Sequence, residues 1–336
     1  MGGDRGPAEV AQGVYAAARA SRQVHFLLVG DPTVLEPVLA RLKPPCANLE
    51  LVPATQVIEM EDAPATALKR KPDASLVVAA RLVKEKKADA IVTIANTGAA
   101  MAVSLLSWGR IKGVDRPAIA VPLPSLKGPV VLLDSGATVD CDANNLFEFA
   151  IMGSVYSERV LGIKNPRVGL VSNGEEEVKG NALVKRTHAL FQEALQGDPP
   201  PFRFMGNVEG RDIFRGDVDV AVCDGFVGNV VLKTAEGVAE MIQGMLKEEL
   251  TSRTWRKLLA APLAPSIRGL GKRLHYSALG GAPMLGVNGI CIIGHGRSDQ
   301  VAVSNACRAA ERAVQHSLVD TIRQRICDPP LPPLVD

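Results

Sequence analysis

The chain has 336 residues, 47% hydrophobic and 22% charged, which is enough to bury a substantial core in one large or two modest domains. Its 38 basic and 36 acidic residues leave a net charge of +2, so no global field directs it to nucleic acid, and 4% aromatic content argues against a base-stacking platform. No apolar run approaches the roughly 18–20 residues needed to span a bilayer, so a soluble or peripheral protein is expected.

In chain order, residues 24–29 read as a buried strand that closes on Gly30-Asp31 before a helix. Helical periodicity covers 75–86, and Ala90–Thr93 reads as the next strand. Residues 130–133, Arg167–Val171 and 218–223 are further strands. Helices are expected over 144–160 and 229–250. Residues 283–293 have two apolar halves around Asn288-Gly289, a hairpin signal. A final helix is expected from about 298 to 325. Such alternation predicts a mostly parallel α/β sheet flanked by helices. The chain opens at Met1-Gly2-Gly3-Asp4 in loop-like sequence. A sheet of this type usually opens with a strand, so a missing first strand or a start placed late is expected. The six cysteines form no C-x-x-C pair and read as reduced, mostly buried thiols. Cys141 and Cys223 stand near strand ends, where a reactive role is the alternative.

The informative loops stand at the carboxyl ends of the strands. Asn96-Thr97-Gly98, Asp134-Ser135-Gly136, Ser172-Asn173-Gly174, Asp224-Gly225-Phe226-Val227-Gly228-Asn229 and Gly294-His295-Gly296-Arg297-Ser298 all pair glycine with small polar residues. Ligands of open α/β sheets bind at the carboxyl ends of the strands. Glycine admits close backbone approach, and helix N-termini present N–H groups to anions. Any one of these loops is as well explained as a tight turn; five together point to an anion, with phosphate the first candidate. Dinucleotide, P-loop, zinc and serine-esterase signatures are absent. Two charged constellations remain. Lys179, Gly180 and Asn181 come after Glu175-Glu176-Glu177, which also suits a solvated helix start. Asp224, Asn229 and Lys233 surround one helix N-terminus, the last two on one face.

Residues 251–276 carry Arg253, Arg256, Lys257, Arg268, Lys272 and Arg273 and no acidic residue. Trp255, Leu258, Leu259 and Leu263 lie among them, and Pro262 and Pro265 break the segment into a helical hairpin with an apolar tip. Basic stems with an apolar tip suit an anionic membrane surface. A hairpin buried in a dimer interface is the alternative.

The motifs MGGDRGP at 1–7, IEMEDAPATALKRKPDAS at 58–75, NTGA at 96–99 and LLDSGATVDC at 132–141 resemble one family in order. MGSVYS at 152–157, GLVSNGEEEVKGN at 169–181, GNVEGRDI at 206–213, DGFVGNVVLKTAEG at 224–237 and GGAPMLGVNGICIIGHGRS at 280–298 continue the likeness. It is the PlsX family, the acyl-acyl carrier protein:phosphate acyltransferases of bacterial phospholipid synthesis. The resemblance spans nearly the whole chain as a single domain over 1–336. It departs at Ala95, where the family has glycine, at Thr138, where it has asparagine, and in a strand that the family carries ahead of Met1.

The resemblance implies an α/β fold similar to phosphate acetyltransferases and isocitrate dehydrogenases. It also implies a homodimer in the cytoplasm, peripheral to the inner face of the membrane. The implied reaction moves a long-chain acyl group from acyl carrier protein to inorganic phosphate, with no cofactor or metal required. Lys179 would take the main electrostatic role, with Asn181 orienting nearby. Asn229 and the backbone at Gly225 and Gly228 would hold phosphate or the oxyanion, and Asp224 would accept a phosphate proton. His295 would protonate the leaving thiolate or serve structurally. Asn96, Thr97, Gly98 and Lys233 are candidates for phosphate contact. Two alternatives stay open: a phosphate acetyltransferase-like enzyme using acyl-CoA, and a non-catalytic membrane-associated scaffold for acyl carrier protein.

Overall fold

The computed structural model describes residues 1–59, 61–94, 96–197, 200–256, 262, 269 and 280–327. Its first part runs α1 (Pro7–Ala20), β1 (Phe26–Gly30), α2 (Pro32–Arg41), β2 (Leu49–Pro53), α3 (Pro64–Arg70), α4 (Ser75–Lys84), β3 (Ala90–Thr93) and α5 (Thr97–Trp108). It continues with β4 (Ala118–Ile119), β5 (Val121–Ser125), β6 (Gly128–Leu133), α6 (Ala143–Arg159), β7 (Arg167–Val171), α7 (Ala182–Ala194) and β8 (Arg203–Val208). Then come α8 (Gly210–Arg215), β9 (Val220–Val222), α9 (Gly225–Thr251), β10 (Ala282–Leu285) and β11 (Ile290–Ile293). Two helices close the described chain, α10 (Gln300–Gln315) and α11 (Leu318–Cys327).

The strands form three sheets, ordered β1-β2, β3-β11-β10-β4 and β5-β6-β9-β7-β8. β1 runs parallel to β2, β3 to β11, and β6, β9, β7 and β8 to one another, while β5, β10 and β4 pair antiparallel. The mostly parallel α/β expectation therefore holds, with antiparallel strands where the two larger sheets approach. Ala120 N donates to Pro283 O and Ser135 N to Ile119 O, joining those sheets.

α6 is the central helix. It is buried on every side, from Phe147 and Phe149 to Met152 and Tyr156, as expected of a helix enclosed within a large core. Asp142 caps it in a capping box with Asn145. Gly153 lets it lie on the sheet, because a methyl group there would sit 2.6 Å from Val220 Cγ1.

Two helix boundaries differ from expectation. The 298–325 helix is two helices, since α10 ends at Gln315 with His316 as its cap and Ser317 turns at a φ of +49°. α9 starts at Gly225 rather than 229, because the Asp224 carboxylate accepts the Val227 N–H and caps the chain four residues earlier. The expected hairpin forms as β10 and β11, with Met284 opposite Cys291.

Beyond its first turns α9 projects from the body. Val238, Met241, Ile242 and Met245, at i, i+3, i+4 and i+7, are 44–63% exposed. Trp255 is exposed, with the Arg256 guanidinium 5.4 Å from its ring centroid. The Leu258, Leu259 and Leu263 expectations, and most of the 251–276 hairpin, lie outside the described residues. Among the described residues no helix is long and apolar enough to cross a membrane.

Candidate active site

The site begins at the carboxyl end of β6. Asp134 comes after a cis Leu133-Asp134 peptide and is fully buried. Its carboxylate accepts backbone N–H groups from Ile119 (2.8 Å), Gly136 (3.3 Å), Ala137 (3.1 Å) and Thr138 (2.6 Å). Burial pushes its pKa up, and the four donors, which favour the charged form, oppose that push. Asp134 thus organises the 134–138 loop from within.

The N-terminus of α9 docks onto this loop. Gly225 N donates to Thr138 O at 2.8 Å. A methyl group on Gly225 would lie 2.6 Å from an Asp134 carboxylate oxygen, and one on Gly228 only 1.8 Å from Asp134 O. Both glycines therefore permit helix-to-loop contact. Their amides serve the fold, the Gly228 N–H bonding to Asp224 O inside the helix. Asp224, expected to accept a phosphate proton, spends a carboxylate oxygen on the helix cap. Asn229, one turn on, sits against the loop, its Oδ1 being 3.7 Å from a methyl placed on Gly136.

The 172–181 loop lies at the end of the adjacent β7. Asn173 Oδ1 accepts Gly180 N (2.8 Å), and Asn181 Oδ1 accepts Val184 N (2.9 Å), capping α7. Asn181 is thus a helix cap by geometry. Lys179 is exposed, its stem over Gly174, where a methyl would meet Lys179 Cγ at 2.8 Å. Among the described residues its ammonium is in no ion pair.

The β3 and β11 ends lie side by side, with Thr93 opposite Ile293. Asn96 caps α5 through Ala99 N at 3.0 Å, Thr97 is exposed, and Gly98 packs close to Pro64. His295 Nδ1 accepts the Arg297 N–H at 3.1 Å, which places the ring proton on Nε2. Burial, then Lys233, lowers the His295 pKa, with Glu236 and Asp4 opposing and Arg297 reinforcing. The ring is therefore neutral at physiological pH. Lys233 itself pairs with Glu236 at 2.9 Å.

α9 is therefore the bridge. Its first turns carry Asn229 to the five-stranded sheet, and its next turn carries Lys233 into the electrostatic reach of His295 on the four-stranded sheet. Sequence reasoning passed over Asp134, Gly136, Arg297 and Glu236 as site residues, although the first three stand in the glycine-bearing strand ends that it singled out. Burial pushes the Cys141 thiol up to about 12 and the Cys223 thiol well above its usual value, so both are protonated and unreactive at neutral pH. Glu175, Glu209 and Asp212 form an acidic cluster, in which Arg211 pairs with Glu175 (3.3 Å) and Glu209 (2.9 Å) and Arg215 lies 3.9 Å from Asp212.

Comparison with known proteins gives consistent matches. A family model described as "Fatty acid synthesis protein" matches residues 1–320. The phosphate acyltransferase of Heliobacterium modesticaldum is 50% identical, covering 97% of this chain and 96% of that protein. The phosphate acyltransferase of Desulfitobacterium hafniense is 47% identical over 97% and 96%. Among solved structures, the EutD phosphotransacetylase from Staphylococcus aureus superposes with a TM-score of 0.59 at 18% identity, covering 92% of each chain. A Streptococcus pyogenes phosphotransacetylase gives 0.54 at 16% identity over 96% of this chain and 93% of that one. These two structural likenesses show a shared fold.

Proposed function

Since the chain belongs to the fatty acid synthesis protein family, together with the phosphate acyltransferases it matches, we propose that it transfers a long-chain acyl group from acyl carrier protein to inorganic phosphate. The observation that carries this reading is α9 spanning the carboxyl ends of both larger sheets, with an amide, a cation and a neutral imidazole along the span. Phosphate is already anionic at neutral pH and needs positioning and partial desolvation more than activation. A phosphate oxygen attacks the thioester carbonyl carbon, the carbon–sulfur bond breaks, and acyl phosphate and the carrier thiol leave. Lys233 and Arg297 supply positive charge near His295 for the phosphate. Asn229 and Lys179 face the negative charge that develops on the carbonyl oxygen.

His295 takes a different role from the one expected. A neutral imidazole with its proton on Nε2 is a weak acid but a good hydrogen-bond donor. It steadies the departing sulfur or the oxyanion, and the proton for the thiolate comes from phosphate itself. The capping carboxylate of Asp224 and the capping amide of Asn181 hold the helices that position these groups.

The test is release of carrier thiol from palmitoyl-acyl carrier protein by the purified chain, with and without phosphate, beside acetyl-CoA as the competing donor. Phosphate-dependent release from the long-chain carrier thioester is expected, with acetyl-CoA poorer by orders of magnitude. Preference for acetyl-CoA would move the reading to a phosphate acetyltransferase-like enzyme. No turnover with either donor would favour the scaffold.

The exposed stripe on α9 supports a homodimer paired along that face, with the basic segment around Trp255 and Arg256 toward an anionic membrane. Sedimentation is expected to give twice the chain mass, and the double variant Met241→Glu, Met245→Glu to give the monomer. Binding to phosphatidylglycerol vesicles is expected to weaken in Trp255→Ala. A monomeric parent protein would remove the dimer, and failure to bind the vesicles would remove the membrane role.

A further inference from the structure

The first turns of α9 have two unlike faces. Gly225, Gly228 and Leu232 are buried, and Val227 and Val231 pack on a core shared by the two larger sheets. Phe226 and Val230, at i and i+4, fall on the other side and are 63% and 48% exposed. The neighbouring 134–138 loop divides in the same way. Asp134 and Ser135 are buried and Ala137 packs on that core, whereas Val139, directly after the loop, is 55% exposed. The Gly225 N–H donates to Thr138 O at 2.8 Å. Phe226 and Val139 each follow a residue of that bond and are neighbours across it.

Apolar side chains scattered singly are ordinary on a protein surface. These three are grouped, and the group is continuous with the site. Val230 adjoins Asn229 in the chain, and Lys233 lies three residues beyond Val230 on the same face of the helix. Among the described residues the Phe226 ring stacks on no other aromatic ring. The group is also separate from the stripe of Val238, Met241, Ile242 and Met245, which begins about two turns beyond Val230. A ligand that satisfies Asn229, Lys233 and this apolar group together carries a polar or anionic end joined directly to hydrocarbon.

We propose that Phe226, Val230 and Val139 hold the acyl chain where it leaves the thioester carbonyl, and that Phe226 sets the preference for long chains over short ones. This rests on the acyltransferase reading, in which Asn229 faces the carbonyl oxygen. Hydrocarbon begins at the carbonyl carbon itself, so a carbonyl seated at Asn229 delivers the first methylenes to the side chains beside it. Covering these three residues removes apolar surface from water, which favours binding of the chain. It also excludes water from one side of the carbonyl, where a drier site strengthens the hydrogen bond from the Asn229 amide.

The experiment compares palmitoyl- and acetyl-acyl carrier protein as donors to phosphate for the parent, Phe226→Ala and Phe226→Leu. Phe226→Ala is expected to lower the ratio of kcat/KM for palmitoyl over acetyl by about tenfold or more, the scale of a lost apolar pocket contact. Phe226→Leu is expected to restore most of that ratio, since a large apolar side chain returns. An unchanged ratio in Phe226→Ala would overturn the proposal, even with both rates lowered together. Sedimentation of Phe226→Ala at half the mass of the parent would also overturn it, by making the group a contact between subunits. If the parent turns over neither donor, the acyltransferase reading fails, and equilibrium binding of the same two carrier proteins to the parent and Phe226→Ala tests the contact by itself. Weakening of the palmitoyl form alone, by about tenfold, would uphold the chain contact. Equal weakening of both forms, or of neither, would overturn it.

Discussion

Gly228→Ala is expected to lose most of its turnover and to unfold at a clearly lower temperature than the parent. The added methyl would lie 1.8 Å from Asp134 O, 2.9 Å from Asp134 C and 3.1 Å from Cys223 Sγ. Its neighbours are backbone and a buried thiol, none of which is the far end of a flexible side chain. Either α9 moves away from the 134–138 loop or the loop opens, and the second course strains the four N–H bonds to the Asp134 carboxylate. Overpacking typically costs about 1–3 kcal/mol, and contact with rigid backbone places this case toward the upper end. The internal control is Gly237→Ala in the same helix, where a methyl meets nothing within 4 Å. That change removes a flexible residue from a helix interior and is expected to stabilise by about 0.5–1 kcal/mol. Thermal unfolding of the two variants side by side separates the effects. A Gly228→Ala protein as stable as the parent would mean that α9 does not rest on the loop as described.

Lys179→Ala is expected to lower kcat by about 10²–10³-fold, the usual effect of removing one electrostatic donor from a developing oxyanion. The melting temperature should hardly move, because Lys179 is exposed and its ammonium joins no ion pair among the described residues. Lys179→Arg should recover part of the rate, since charge is kept but a planar fork replaces a compact ammonium. A kcat within about threefold of the parent in Lys179→Ala would remove Lys179 from the mechanism and leave Lys233 and Arg297 as the cations of the site.

The strand ends were legible because their chemistry is local. Glycine beside Asp, Asn or Ser after an apolar run marks a turn at the end of a strand, whatever the rest of the chain does. The strands Ala90–Thr93 and Arg167–Val171 were legible to the residue, and the hairpin around Asn288-Gly289 formed as expected. The roles of the loop residues were less legible. Gly225 and Gly228 look like an anion cradle in sequence, yet they admit Asp134 and Thr138, which lie some ninety residues earlier in the chain. Asp224 and Asn181 look like ligands for a substrate, and their oxygens cap helices. Cap and ligand use the same residue types for the same reason, a short side chain that reaches a backbone N–H.

By itself the sequence determined the alternation of strands and helices, the family, and the set of loops from which a site could be built. These arise from hydrophobic period, turn chemistry and motif order, all of which act over a few residues. Only the tertiary structure decided which loops meet. It buried Asp134 as the organiser of the 134–138 loop, set Asn229 against Gly136, and brought Lys233 close enough to His295 to help keep that ring neutral. It also left β1 and β3 lining opposite sides of one cavity. Each of these depends on the distance between segments remote in the chain, and burial and Coulomb interaction are set by that distance rather than by residue type.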